Sequence, residues 1–306
     1  MQNPSRSRSL TTKQRDLNLS RQYYAEELRA VANIQSEALV RAFAKVPREH
    51  FLGPGPWQIL NPSHMIEENN EGSYYRETAD ADPKHLYHNI LVAIDAKRFL
   101  NNGQPAFLAI LIDSLALMPG DTVLHIGCGT GYYSAIMAEV VGPKGHITAV
   151  EIDLELAALA RNNLRHLSYV EVIEGDGGVI EPGLSDGILV NAGATHPCAT
   201  WLDSLRIGGR LLLPLTVANE SDSPQSGQML KIIRQENGFT ASFICQTIIF
   251  PCSGARDPQL NDKLNEAFKR GDAKSVQSVR RDAHDEQESC WLHDEQFCLS
   301  KTSVVP

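Results

Sequence analysis

Three glycines at alternate positions, Gly127, Gly129 and Gly131, lie in DTVLHIGCGTGYYSAIMAEVVG (residues 121–142), between an apolar run and a helix-like run that opens on Tyr132. A turn of this composition lets the backbone pass close to a ligand, because no side chain blocks the approach. A dinucleotide enzyme needs G-x-G-x-x-G, and Tyr132 holds the place of the last glycine. The turn therefore favours a nucleoside without a pyrophosphate, with a dinucleotide enzyme as the competing reading. Two acids extend the pattern. Glu151 closes HITAVE and is suited to accept hydrogen bonds from both hydroxyls of a ribose; Asp176, in VEVIEGDGG, is suited to accept from the exocyclic amine of adenine, with the Gly177 N–H offered to a ring nitrogen. A glycine turn, a ribose acid and an adenine acid after three successive strands imply S-adenosylmethionine. His125, Cys128, Ile152 and Asn191 flank these positions and complete the expected cofactor-binding set.

The elements that must position these residues alternate along the chain. Apolar runs predict strands at 122–126, 146–150, 170–174, 187–191 and 210–214, with helices over 132–141, from 154 (Leu156, Ala160, Leu164 and Leu167 on one stripe) and over 198–205. MLKIIRQ and SFICQTIIF predict a closing hairpin around Glu236-Asn237-Gly238. The fold class that follows is α/β: a doubly wound, mostly parallel, seven-stranded sheet with ligands at the carboxyl ends of its strands. Before it, helical spacing from Leu19 to Lys45, ended by Pro47 and the following Gly/Pro cluster, predicts an N-terminal helical subdomain. The expected organisation is a disordered polar tail over 1–19, the helical, substrate-side subdomain over 20–105, the cofactor-binding domain over 106–252 and a charged helical extension over 253–306.

Composition narrows the possible partners. The chain has 306 residues, 42% hydrophobic content and a formal charge of −9, with no basic stripe suited to a phosphate backbone, so nucleic acid is not expected. The start lacks the apolar core of a secretion signal and no run reaches the length of a membrane span, which leads to the expectation of a cytoplasmic protein. Six cysteines without C-x-x-C pairs read as reduced thiols. CWLHDEQFC, Cys290 to Cys298 with His293 between, offers metal-ligand types but no tight second pair, so buried thiols around a packed Trp291 are expected and no metal site is assigned.

Between about residues 35 and 252 the chain resembles the protein-L-isoaspartate O-methyltransferases. The resemblance is carried by AFAKVPREHFL, LYHNI, LMPGDTVLHIGCGTGYYSAIMAEVVGPKGHITAVEID, VEVIEGDGG, LRIGGRLLLPL and GQMLKIIRQENGF. It implies a Rossmann-like class I methyltransferase that transfers a methyl group from S-adenosylmethionine to a carboxylate of a protein or peptide. RFLNNGQPAFLA departs from the family's T-x-S-x-P: Gly103 takes the serine's place, Asn101 the threonine's, and Asn89 stands where the family often has an acid. The resemblance therefore points to Asn101, Asn102, Gly103 and Gln104 as the acceptor-side stretch, with amides as replacement donors and His88 as a candidate base. A carboxylate acceptor, with a solution pKa of about 4, is ionised at neutral pH and needs no base. NAGATHP (191–197) lacks the N-P-P-Y turn of amino-group methylases acting on adenine, and His196 is expected to face solvent. Two alternatives stay open: a tailoring methyltransferase for a peptide natural product or small molecule, and a binding module without turnover. Oligomeric state is not encoded in any of these features.

Overall fold

The computed structural model describes residues 11–61, 74–218 and 224–304. The chain divides into two compact units, 1–110 and 111–306. Residues 62–73 and the first ten residues of the expected tail lie outside the described residues.

In the first unit, α1 (Thr12–Ala32) begins well inside the stretch expected to be disordered. The reason is a capping box: the Thr11 hydroxyl accepts from the Gln14 N–H while the Gln14 side chain accepts from the Thr11 N–H, so two N-terminal donors are satisfied at once. The helical run also breaks in two. Asn33 adopts a left-handed conformation that ends α1, and Ser36 caps α2 (Glu37–Lys45) by accepting from the Leu39 N–H. Tyr24 of α1 meets Phe43 of α2 edge to face, with ring centroids 6.1 Å apart. The unit is completed by two small antiparallel pairs, β1 (Gln58–Leu60) with β2 (Tyr75–Glu77) and β3 (Ala93–Asp95) with β4 (Leu100–Asn101), and by the first turns of α3 (Pro105–Leu115).

The second unit is built around one sheet. Its elements are β5 (Thr122–Ile126), α4 (Tyr132–Val141), β6 (His146–Glu151), α5 (Leu154–Leu164), β7 (Val170–Glu174), β8 (Ser185–Val190), α6 (Ala199–Asp203), β9 (Leu205–Thr216), β10 (Gln225–Gln235), β11 (Gly238–Ile249), α7 (Pro258–Arg270), β12 (Ser278–Arg280), β13 (Cys290–His293) and β14 (Cys298–Ser300). The sheet has ten strands in the order β13-β14-β12-β11-β10-β9-β8-β5-β6-β7. The seven expected strands form a continuous block from β11 to β7, but the sheet is mixed rather than mostly parallel. Strands β7, β6, β5, β8 and β9 are parallel, while every pairing beyond β9 is antiparallel, through the β9–β10 and β10–β11 connections, the longer return through α7 to β12, and the β13–β14 hairpin. β5 and β6 are buried along almost their whole length, as expected of strands covered on both faces.

Two expected boundaries move. The helix predicted over 198–205 shrinks to five residues, with Ser204 at its C-cap, and β9 begins at Leu205. The segment after Cys252 is not a separate helical appendage. Among its described residues α7 is the one α-helix, with Asp257 as its N-cap and Leu260, Leu264 and Ala267 buried; β12, β14 and β13 then extend the main sheet. Trp291 is 1% exposed and its ring lies 5.0 Å from Phe243 of β11 and 5.4 Å from Phe268 of α7. Among the described residues, no helix is long and apolar enough to cross a membrane.

Trp291→Ala is expected to destabilise the protein by about 3–5 kcal/mol in denaturant melts, the range for emptying a buried aromatic site. A loss below about 1 kcal/mol would mean that the C-terminal strands hang off the domain instead of completing its core.

Candidate cofactor and acceptor sites

The glycine turn connects β5 to α4 and is pinned from three sides. The Gly127 and Cys128 N–H groups donate to the Val150 carbonyl at 2.9 and 3.1 Å, and the Asn191 side chain reaches the Gly127 carbonyl at 3.4 Å. Gly127 has φ of +72°, and a Cβ there would lie 3.0 Å from the Asn191 carbonyl oxygen, so both conformation and space demand glycine. At Gly131 (φ +93°) a Cβ would come within 2.7 Å of Leu164 on α5. These two glycines therefore bring the turn against its own fold as much as they open it to a ligand. Gly131 caps α4 without a side-chain hydrogen bond, and Tyr132 starts the helix 1% exposed, its ring packed edgewise on Tyr133.

Glu151 ends β6 directly beside this turn. Its Oε2 accepts from the Gly129 N–H at 2.7 Å, and its Oε1 accepts from the N–H groups of Ile152 and Asp153 at 3.0 and 3.1 Å. One carboxylate thus holds the glycine turn and the entry to α5 together. Ile152, the next residue, is half exposed and offers an apolar surface next to the acid. Asp176 follows β7, and its Oδ1 accepts from the Gly178 N–H at 2.8 Å. Gly177 packs so closely on Ile126 that a Cβ would sit 2.4 Å from its Cγ2.

Four residues that no local motif marks hold this loop and the loop after β8 in place. Trp201 donates its indole N–H to the Gly177 carbonyl at 2.8 Å, and the Thr200 hydroxyl donates to the Gly178 carbonyl at 3.2 Å, so α6 fixes the Asp176 loop. Gly254 lies against the Asp176 carboxylate, where a Cβ would come within 1.9 Å of Oδ2. Arg256 donates to the carbonyls of Gly193 and Thr216 and tethers the loop after β8. Such contacts join residues far apart in the chain; an isolated tryptophan and a glycine after a strand were their only local signals.

His125 sits beneath the turn. It is fully buried, its Nδ1 pairs with the Ser134 hydroxyl on α4 at 2.8 Å, and burial pushes its pKa down to about 3. In this arrangement it supports the turn from inside the core and shows no face to a ligand. Cys128 is buried too; burial and the nearby Glu151 charge raise its thiol, which is held as the unreactive protonated form. His196 is half-buried, stacked on Phe297 with centroids 6.1 Å apart and paired with the Thr195 hydroxyl, which corrects the expectation that it faces solvent.

The residues expected on the acceptor side lie in the first unit. Arg48, 0% exposed, donates to the carbonyls of Leu86, His88 and Ile90 at 2.8, 3.2 and 2.9 Å, so the VPREHF motif is a clamp on the segment containing LYHNI. Asn89 in that segment accepts from the Ala106 N–H at 2.9 Å, which sets it beside the start of α3 and the Asn101–Gln104 stretch. The amides there differ in availability. Asn101 accepts from the Tyr75 hydroxyl and donates to the Phe99 carbonyl, so both ends of its amide are engaged. Asn102 is buried, and its Oδ1 has no hydrogen-bond partner. Gly103 has φ of +75°, a conformation a serine rarely adopts, and the Gln104 side chain is exposed. The His88 side chain is exposed as well.

A glycine turn beside two acids, on three adjacent parallel strands of a doubly wound sheet, defines a class I methyltransferase that uses S-adenosylmethionine. The residues fit that cofactor: the acids provide acceptors for hydroxyls and an amine, and Ile152 provides an apolar surface. The family model for "Protein-L-isoaspartate(D-aspartate) O-methyltransferase (PCMT)" matches residues 67–255. The chain belongs to this family. It is 34% identical over 151 residues to a protein-L-isoaspartate O-methyltransferase of Ignicoccus hospitalis, covering 48% of this chain and 69% of that one. It is 31% identical over 205 residues to the enzyme of the same name from Methanopyrus kandleri, covering 64% and 76% respectively. Among solved structures, a beta-aspartate methyltransferase from Plasmodium falciparum, in complex with S-adenosyl-L-homocysteine, shares the fold with a TM-score of 0.54 at 18% identity, over 76% of this chain and 98% of that one.

A histidine held neutral in the fold resists protonation there but takes a proton freely once unfolded, so stability drops as pH falls from about 6.5 towards 3. His125→Asn is expected to remove up to about 1.4 kcal/mol per pH unit from the acid-side slope of stability against pH, measured by denaturant titration between pH 4 and 7. An unchanged slope would show that this imidazole does not set the acid limit.

Proposed function

We propose that the protein methylates the carboxylate of isoaspartyl residues in proteins or peptides, with S-adenosylmethionine as donor. The observation that carries this reading is family membership, together with an acceptor-side stretch that presents amides and no tethered base. The sulfonium supplies an electrophilic methyl group, and the transfer is an in-line displacement in which the carboxylate oxygen forms the new C–O bond as the C–S bond breaks. An ionised carboxylate carries its own lone pair, so the work left to the chain is binding, alignment and exclusion of water. Glu151 and Asp176 hold the adenosine portion and Ile152 covers its base. Gln104, exposed ahead of α3, is the amide free to reach the acceptor. His88 needs no part in proton transfer.

A second reading, in which the acceptor is one peptide natural product or small molecule, is favoured by Gly103. Glycine at this position removes the hydroxyl donor that the family pattern places there, and the neighbouring Asn101 amide is already engaged at both ends.

With labelled donor, an isoaspartyl peptide is expected to gain a base-labile ester that releases methanol, while its aspartyl counterpart gains much less. Glu151→Ala is expected to weaken S-adenosylhomocysteine binding about 10- to 100-fold by calorimetry, the loss for a charged hydrogen-bond acceptor. Tight nucleoside binding without ester formation on the isoaspartyl peptide, and with one labelled product in a cell extract, would favour the second reading.

A further inference from the structure

The fourth metal ligand missing from CWLHDEQFC is supplied by the fold. Ligand atoms of His284, Cys290, His293 and Cys298 all lie within 4.8 Å of one another. Cys290 and His293 sit on β13, and Cys298 sits opposite His293 on β14. Residues three apart on a regular strand point to opposite faces, but the register between these strands shifts between Cys290 and Leu292, and that bulge brings both side chains to one side. The fourth member, His284, comes from the loop after β12. None of the four belongs to the cofactor or acceptor site.

The surroundings are arranged as they are around metal ligands. The His284 Nδ1–H donates to the Asp282 carbonyl at 2.7 Å, which fixes the tautomer and leaves the Nε2 lone pair facing Cys290 Sγ at 3.7 Å. About 3.5 Å is the expected sulfur–nitrogen edge of a tetrahedral zinc site with ordinary bond lengths. Asp282 is itself held by paired hydrogen bonds from the Arg280 guanidinium. The Gln287 N–H donates to Cys290 Sγ at 3.3 Å, the bond that stabilises a coordinated thiolate. Nδ1 of His293 is buried and has no hydrogen-bond partner, a state costly for a polar atom unless something binds it. Cys290 and Cys298 are 7% and 0% exposed and both are free.

We propose that His284, Cys290, His293 and Cys298 form a structural zinc site that locks β13, β14 and the loop after β12 together. Two thiolates and two imidazoles are the donor set of closed tetrahedral zinc centres, and four protein ligands leave no position for a substrate. Binding one Zn²⁺ breaks two S–H bonds and forms two Zn–S bonds, two imidazole nitrogens donate lone pairs, and two protons leave, so the centre carries no net charge.

The test uses the full chain without a polyhistidine tag, grown with added zinc. About one zinc per chain is expected by elemental analysis. Stripping it with a chelator is expected to lower the melting temperature by several degrees and to expose two more cysteines to a thiol reagent. Adding Co²⁺ to the stripped protein is expected to give the strong visible bands of a tetrahedral centre and a thiolate-to-cobalt charge-transfer band, both erased by zinc and absent in Cys298→Ser and His293→Ala. Zinc-free protein in which the same number of cysteines reacts before and after chelation, or a cobalt spectrum without the sulfur band, would overturn the proposal. The cobalt spectrum of the unmutated chain decides the matter even if the variants fail to fold, and none of these readouts depends on methyl transfer.

Discussion

The Glu151 carboxylate, accepting from the backbone N–H groups of Gly129, Ile152 and Asp153, is the constraint on which the proposed cofactor site depends. Without it, a turn containing three glycines would have many conformations of similar energy, since glycine loses more freedom on ordering than any other residue. A buried acid with both oxygens engaged selects one of them. It also couples the carboxyl ends of two adjacent strands, so the walls of the site form as a unit with the sheet.

The same logic recurs at the proposed acceptor side with the charges reversed. Arg48 brings a buried positive charge to three carbonyls that no strand or helix satisfies, and so gives a definite shape to a segment without regular structure. Around it, Glu49 accepts from both Arg21 and the Tyr87 hydroxyl, and burial together with that carboxylate raises the Tyr87 pKa. In both units an irregular functional segment is shaped by one buried ion directed at backbone groups, and neighbouring helices contribute packing.

How much of this was legible in the sequence follows from the range of the forces involved. The strands and helices from Thr122 to Val190 were readable because parallel strands are continuous apolar runs and their crossovers have helical periodicity. The glycine turn and its acids were readable because their chemistry is local. β12, β13 and β14 were not, since strands of three or four residues carry too little alternation to show, and a bulge within β13 scrambles what there is. Roles fixed by partners distant in the chain were equally hidden. Nothing local marks Trp201 as the donor to Gly177, Gly254 as the neighbour of Asp176, or Asn101 as engaged by Tyr75. His125 was assigned to the cofactor wall on adjacency alone, and the pleat of β5 directs it inward to Ser134.

Asn89 illustrates how a single neutral group shapes its surroundings. By accepting from the Ala106 N–H it closes the first turn of α3 from a position seventeen residues upstream. An acid there would make the same bond and also cancel the partial positive charge at that helix terminus. The amide bonds without cancelling, so the amino end of α3, immediately after Gln104, keeps its attraction for negative charge.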